Sequence, residues 1–422
     1  TKGKLTVQIA TNAPLGPHLI RFYNQDGASL PRCFVVGHLE ENPEKEPNDS
    51  AGQAQLIEKL PTVINGRLEK SGDDDSFAIN LKTGQWLVAA VNAYALDSPM
   101  DPVLQLLDPH GTKIAFNHDG RSLDPFLAYQ AKEAGRFVLQ LFAFAYPPQS
   151  DIRFTGGNAA VYRLALSTGS FAKYAFPAGV QRGRKTPVHL VGWSVGTTGQ
   201  GIVAQVDAAH LEPDAELVTV AAPGVRNLLR IPVGDLPEER EIEPNNSLDL
   251  AQPVSVPGVL NGRIDPAGDE DRFVFTARKE ERFRFQVRSA GLGFPLDAVL
   301  KVEDSAGKEL VRGDDSSGVA DPELNWTAPA DGSYFLAVSD LIKRGGGDYV
   351  YRLELRRPSA DFRAFVDGHA FRVEPGKTAE MKVNVTRLDG FQGKLNVVID
   401  GLPDEVNATT GSVSDKGGEV KL

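Results

Sequence analysis

Two stretches decide the fold. Asn65-Gly66-Arg67-Leu68 runs on to Gly72-Asp73-Asp74-Asp75-Ser76-Phe77, and Asn261-Gly262-Arg263-Ile264 runs on to Gly268-Asp269-Glu270-Asp271-Arg272-Phe273, 196 residues later. Outward from them the likeness continues in the same order. Upstream, Glu44-Lys45-Glu46-Pro47-Asn48-Asp49-Ser50 matches Glu241-Ile242-Glu243-Pro244-Asn245-Asn246-Ser247. Downstream, Asp101-Pro102-Val103-Leu104 matches Asp297-Ala298-Val299-Leu300, and Asp124-Pro125 matches Asp321-Pro322. The series closes with Gly135-Arg136-Phe137 against Gly332-Ser333-Tyr334, and Tyr162-Arg163-Leu164 against Tyr351-Arg352-Leu353. Matches kept in order over so long a span are the mark of an internal repeat.

The flanks match as well: Cys33-Phe34-Val35-Val36-Gly37 precedes the first copy and Arg230-Ile231-Pro232-Val233-Gly234 the second. Each leads through an acidic stretch into a Glu-Pro-Asn motif. The expected organisation is a partial immunoglobulin-like sandwich over 1–40, a module over 44–168, a sandwich over 169–236, a second module over 241–357 and a partial sandwich over 359–422.

The segments between turns alternate apolar and polar residues, as in Phe283-Arg284-Phe285-Gln286-Val287 and Tyr349-Val350-Tyr351-Arg352-Leu353. A period of two marks half-buried strands, and such strands bury one face only when a second sheet lies opposite. The 42 glycines and 28 prolines punctuate them along the whole length. The predicted fold class is all-β, a tandem of β-sandwich (jelly-roll-like and Ig-like) domains, with short helical turns after Ser50 and near Ala131.

Composition narrows the function. Of 422 residues 41% are hydrophobic, which is enough for packed cores. The net charge of −11, without a basic stripe, points away from nucleic acid. No run approaches the ~20 apolar residues of a membrane-spanning helix. The single cysteine, Cys33, excludes an internal disulfide and reads as a buried structural thiol among Phe34, Val35 and Val36. Residue 1 falls within a strand-like pattern, so the chain is read as part of a longer protein.

The acidic motif carries the chemistry. In an extended chain alternate residues face one side, so oxygens of Glu44, Glu46 and Asn48 can converge, with Asp49 added at the turn and Asp73 and Asp75 from the next loop. Carboxylates held together need neutralising, and calcium takes about six to eight oxygen ligands of these types. The alternative is turn chemistry: Asn48, Asp49 and Ser50 are also good capping residues. The same Glu-x-Glu-Pro-Asn and Gly-Asp-x-Asp in the second copy favours the metal. Asn246 in place of Asp49 predicts weaker binding there.

At these residues the chain resembles the bacterial pre-peptidase C-terminal domain, the family that includes the collagen-binding domains of clostridial collagenases. The resemblance covers about 44–168 and 241–357. It implies a jelly-roll-like sandwich, a secreted or cell-surface (or periplasmic) setting, and a binding or maturation role beside another domain. It also implies calcium ligation by Glu44, Glu46, Asn48, Asp49, Asp73 and Asp75, and by Glu241, Glu243, Asn245, Asp269 and Asp271. Tyr94, Phe144 and Tyr146 are the only candidates for an aromatic binding surface, and core packing explains them more simply. The flanking segments resemble the Ig-like or IPT-type sandwiches of large bacterial surface proteins.

Signals for catalysis are weak. Gly192-Trp193-Ser194-Val195-Gly196 has the spacing of a nucleophile elbow, but the residues after it read as a loop and not a helix. The seven histidines are scattered, without the pairings of a zinc hydrolase. Asp119 and Asp124, like Asp314, Asp315 and Asp321, read as surface-loop residues before a second cation site. The expectation is a non-catalytic modular protein whose modules bind calcium and whose partner is an extracellular protein or polysaccharide matrix or the cell envelope. The alternative is the accessory region of a secreted peptidase whose catalytic domain lies elsewhere.

Overall fold

The structure is a computed structural model and describes residues 6–25, 27–120, 123–148, 152–195, 201–316, 320–368, 371–403 and 405–422. The protein is all-β. Its only helices among the described residues are one-turn 3₁₀ helices at Tyr94–Leu96, Leu248–Leu250 and Ala290–Leu292.

Strands β1 (Gly16–Ile20), β2 (Tyr23–Asn24), β3 (Gly27–Ala28) and β4 (Arg32–Val36) come first, with β1 antiparallel to β4 and β2 to β3. Ten strands follow: β5 (Glu40–Pro43), β6 (Gln55–Leu56), β7 (Thr62–Arg67), β8 (Asp75–Leu81), β9 (Trp86–Asn92), β10 (Met100–Leu107), β11 (Lys113–Asn117), β12 (Phe126–Gln130), β13 (Gly135–Ala145) and β14 (Val161–Ser167). They form two five-stranded sheets, β11-β10-β13-β8-β6 and β12-β9-β14-β7-β5. Alternate residues of β8 (Phe77, Ile79, Leu81) and β13 (Phe137, Leu139, Leu141) fill the core between them, meeting Leu87, Ala89, Leu164 and Leu166 from the other sheet.

Next come β15 (Phe171–Phe176), β16 (Val180–Gln181), β17 (Lys185–Trp193), β18 (Ile202–Asp207), β19 (Leu217–Val220) and β20 (Leu229–Gly234), in sheets β15-β17-β18 and β16-β20-β19 around a valine- and alanine-rich core. The second large sandwich contains β21 (Glu238–Arg240), β22 (Gln252–Pro253), β23 (Gly258–Arg263), β24 (Glu270–Ala277), β25 (Arg282–Arg288), β26 (Ala298–Glu303), β27 (Glu309–Gly313), β28 (Glu323–Thr327), β29 (Gly332–Asp340) and β30 (Val350–Arg356). Its sheets, β27-β26-β29-β24-β22 and β28-β25-β30-β23-β21, have the strand order of the first large sandwich. Last, β31 (Asp361–Val366), β32 (Lys382–Leu388), β33 (Asn396–Val397), β34 (Gly411–Ser412) and β35 (Gly418–Lys421) pack around Val383, Val385, Val413 and Val420.

Two local findings differ from the sequence reading. The acidic stretch ahead of Glu44 is strand: β5 pairs in parallel with β7, as β21 does with β23. Asp124 and Asp321 are buried rather than loop-surface residues. Asp124 accepts from the backbone N–H groups of Ala93, Tyr94 and Ala95, and Asp321 from those of Ser289, Ala290 and Gly291. Each carboxylate satisfies orphan donors of a one-turn helix that has no other cap.

Candidate metal centre

Parallel pairing delivers the acidic motif to the end of each large sandwich. After Pro43 the chain stays in register for one more residue, the Glu44 N–H donating to the Asn65 carbonyl at 3.0 Å; Glu241 does the same to Asn261 at 2.9 Å. The carboxylate then turns inward. Glu44 Oε1 accepts from the Arg67 N–H at 3.0 Å and Oε2 lies 2.6 Å from the Tyr162 hydroxyl. Glu241 accepts from the Arg263 N–H with both oxygens at 2.8 Å. Room for this comes from the glycine of each Asn-Gly-Arg. A Cβ on Gly66 would collide with Glu44 and Tyr162, and one on Gly262 with Glu241 and Tyr351.

The Gly-Asp-x-Asp residues arrive from the facing sheet. Asp75 and Asp271 stand on the inward face of their strands, two residues before the core residues Phe77 and Phe273, and neither is exposed. Tyr162 Oη lies 2.5 Å from Asp75 Oδ2, and Tyr351 Oη 2.5 Å from Asp271 Oδ2. A phenol has one proton to donate, so in the first sandwich its contacts with both Glu44 and Asp75 need a proton on one of the carboxyl groups. Burial supplies the reason for that proton. It pushes Asp75 up to about 9 and Asp271 to about 10, with the neighbouring glutamate adding to both. Burial also raises Glu241 to about 7, and lifts Glu46, Glu243 and Asp269.

The remaining ligand candidates close the two centres differently. In the first, one oxygen each of Glu46, Asp49 and Asp73 lie within 4.8 Å of one another. Asn48 is fully buried, and the side-chain amide atom facing inward lies 3.1 Å from Glu46 Oε2 and 3.3 Å from Asp75 Oδ1. As NH2 it donates to both; as a carbonyl oxygen it completes a cage of oxygens. Lys70 stands at the rim, 3.3 Å from Asp49 and 3.7 Å from Asp73. In the second centre the group within 4.8 Å is Glu241, Glu243 and Asp271. Asp269 lies outside that group and is held by the N–H groups of Asp265 and Glu270 and by the Asn246 amide. Fully buried Asn245 has no hydrogen-bond partner for either side-chain polar atom, and Asp271 Oδ1 has none. Orphaned buried polar atoms cost free energy unless something pairs them; Asp271 belongs to the carboxylate group, and the Asn245 backbone N–H donates to Glu243 of the same group at 2.9 Å. The donors fit a hard, oxygen-seeking cation.

Tyr162 and Tyr351 were missed as members of the site by the sequence reading, although both copies carry the Tyr-Arg-Leu that places them. Tyr94, Tyr146 and Phe144 do not pack in the core as expected. On β13, Leu139, Leu141 and Ala143 point inward, so Phe142 and Phe144 point outward, and Phe144 stacks on Phe154 at 5.3 Å. Tyr94 meets Tyr146 edge-on at 5.2 Å on the same surface. His118 is half-buried, 3.1 Å from Asp101 and edge-on to Phe144. Ser194 directly follows β17 with a positive φ of 53°, and Gly196 of the Gly-x-Ser-x-Gly stretch, with residues 197–200 after it, lies outside the described residues.

No family model matches the chain. A probable subtilase-type serine protease of Deinococcus radiodurans is 34% identical over 112 residues, which are 25% of this chain and 15% of that protein. The chain therefore spans less than a fifth of the length of that curated relative. Among solved structures, the pre-peptidase C-terminal domain of collagenase from Bacillus anthracis is 18% identical, covering 27% of this chain and 99% of that one with a TM-score of 0.21. The M60 catalytic domain with CBM51 domains of Clostridium perfringens ZmpB is 12% identical, covering 83% and 42% with a TM-score of 0.17. At these scores the structural likenesses carry no argument.

Proposed function

We propose that this chain is a non-catalytic, calcium-binding accessory region of a secreted or surface-displayed protein. Its two large sandwiches each take calcium at the acidic N-terminal motif and thereby hold their linkers in place. The observation that carries this is the buried, unpartnered Asn245 amide beside Asp271 and the Glu241–Glu243 pair. In the first sandwich the ligands are Glu46, Asn48, Asp49, Asp73 and Asp75, with Glu44 positioned by Arg67 and Tyr162. Calcium neutralises carboxylates that burial otherwise keeps protonated, and its binding energy adds to the stability of the folded sandwich. No residue here is assigned a catalytic role. The net charge of −11, without a basic stripe along the sequence, points away from nucleic acid, and an extracellular matrix or the cell envelope is the partner proposed. Titration of the chelator-treated full chain with calcium by calorimetry tests the reading. Two binding events, the tighter lost in Glu46→Ala/Asp49→Ala, are expected; absence of calcium heat in the unaltered chain rules it out.

The similarity to a subtilase-type protease supports a more specific version, in which a peptidase domain shares the polypeptide and these sandwiches assist its maturation or substrate binding. Sequencing the neighbouring reading frame decides it: a serine-triad domain supports this version, and further sandwiches alone overturn it.

A further inference from the structure

A cleft of about 430 Å³ opens where the two large sandwiches and the middle one meet, and all three contribute to its wall. From the first, Trp86 and Phe126 stand on the outer face of β9 and β12, since Leu87 and Leu127 point into the core. From the middle one, Trp193 stacks on Phe126 with ring centres 4.8 Å apart. From the second, Phe294 meets Tyr174 of the middle sandwich edge-on at 5.4 Å. Trp86 is partly buried and stacks on no other ring among the described residues.

The polar groups of the cleft are placed by local devices. A bulge at Lys173 interrupts the pairing of β15 with β17, and bulges re-aim side chains. Gly192 gives the bulge its room, for a Cβ there would come within 2.1 Å of the Phe171 carbonyl oxygen. Lys173 reaches across to an ion pair with Asp348 of the second large sandwich, its Nζ lying over the Trp193 ring at 5.9 Å. Asn117 accepts from the Phe126 N–H at 2.8 Å and donates to the Asp119 carbonyl at 3.2 Å, tying down the turn that carries Asp119. The Asp119 carboxylate is exposed, 4.0 Å from His118 Nδ1. The repeat shows that the fold does not require this wall. At the strand positions of Trp86 and Phe126 the second large sandwich has Arg282 and Glu323.

Small-molecule sites favour such joints between domains, with volumes of about 300–1,000 Å³. Charge narrows the occupant. Aromatic faces are electron-rich and attract cations or weakly positive C–H groups. The Lys173 ammonium already lies over Trp193, so a second cation would meet its charge, and an anion would meet Asp119 and Asp348. An uncharged ligand with an apolar face and hydroxyl groups, which both donate and accept, matches what is left. We propose that the cleft binds a neutral pyranose unit of a glycan, its C–H face on Trp86 and its hydroxyls on Asp119 and the Lys173–Asp348 pair. The source of the glycan rests on the extracellular setting proposed above. The site does not rest on calcium, because no candidate ligand of either acidic centre lines the cleft.

The test probes an array of immobilised neutral, uronic-acid and amino-sugar glycans with the full chain. The soluble form of the best-retained neutral glycan is then titrated into the full chain while tryptophan fluorescence is followed. Two of the three tryptophans, Trp86 and Trp193, line the cleft, so a change in emission is expected, in chelator and in calcium alike. Trp86→Arg installs the residue of the second copy, and Asp119→Asn removes a charge at constant shape; each is expected to weaken binding about tenfold or more. Unchanged melting temperatures show that the variants are folded. Retention of no neutral glycan overturns the proposal, as does retention confined to charged glycans or binding that survives both substitutions. Glycan binding in a chain that gives no calcium heat would overturn the calcium reading alone and leave this site standing.

Discussion

Replacing Asp75 by Asn keeps the shape of the buried side chain, keeps an acceptor for the Tyr162 hydroxyl and removes the charge. Its effect on stability should therefore change sign with calcium. Without calcium the carboxyl is held at about 9 against an ordinary 3.8 in the unfolded chain. The folded state thus binds a proton that the unfolded state releases. This contribution favours folding fully below pH 3.8 and is lost progressively as the pH rises toward 9. At pH 7 the loss spans about three pH units, or roughly 4 kcal/mol at about 1.4 kcal/mol per unit. Sharing of the proton with Glu44 and Tyr162 reduces what a single substitution recovers to about 2 kcal/mol. For a sandwich of this size that is about 8 °C in Tm. Asp75→Asn should accordingly melt higher than the unaltered protein in chelator at pH 7, and no higher at pH 4. In saturating calcium the order inverts. The unaltered site gains about 2.7 kcal/mol at a hundredfold excess over Kd, and the variant loses most of that gain. Differential scanning calorimetry in the four conditions reads this directly. A variant that is destabilised to the same extent with and without calcium would refute the reasoning, because Asp75 would then be acting only as a hydrogen-bonding residue.

Three further outcomes are expected. Gly66→Ala places a methyl group in the space of Glu44 and Tyr162, and should cost about 1–3 kcal/mol in chemical denaturation as overpacking does, while abolishing the first calcium event in calorimetry. Asn246→Asp gives the second centre the carboxylate that the first has at Asp49, and should tighten its calcium binding several-fold; an unchanged titration would show that Asp269 and Asn246 do not belong to it. Arg352→Met leaves Glu238 without its buried partner, and should lower the stability of the second sandwich by about 3 kcal/mol in urea unfolding, with Glu238→Gln in the same chain recovering part of the loss.

The repeated motifs and the period of two were enough to read the all-β class, because alternation along a strand is a local property. Part of the centre was legible by the same rule. In Asp75-x-Phe77-x-Ile79-x-Leu81 the aspartate is in phase with core residues, which marks it as inward-facing and buried; reading Gly-Asp-x-Asp only as a loop missed this. The tyrosines were harder to find. Tyr162 reaches Glu44 only because β14 is registered against β7 with Tyr162 opposite Gly66, and register between strands about a hundred residues apart has no local signature. The Asp124 and Asp321 caps were hidden for a similar reason: the donors they satisfy lie about thirty residues earlier in the chain. Cys33 was expected to be buried from its apolar neighbours, yet it is only half-buried, because it lines a cleft with Val35 and Val36.

Strand alternation also explains why the metal centre and the contact with the neighbouring sandwich occupy the same two strands. On β23, Gly262 faces inward to Glu241 and Tyr351, while Asn261 and Arg263 face outward to Ala178 and Phe176. On β30, Tyr351 points to Asp271, while Val350 and Arg352 point to the middle sandwich and to Glu238. The short strand β21 spans the two environments: Glu238 is anchored by Arg352, and three residues on Glu241 is anchored beside Tyr351. A cation that fixes Glu241 and Glu243 therefore also fixes the far end of the strand that carries Glu238. Under the proposed reading, holding both ends of so short a strand would limit the rotation of one sandwich against the next, so bound calcium would act on the angle between the sandwiches through β21, without touching the interface itself.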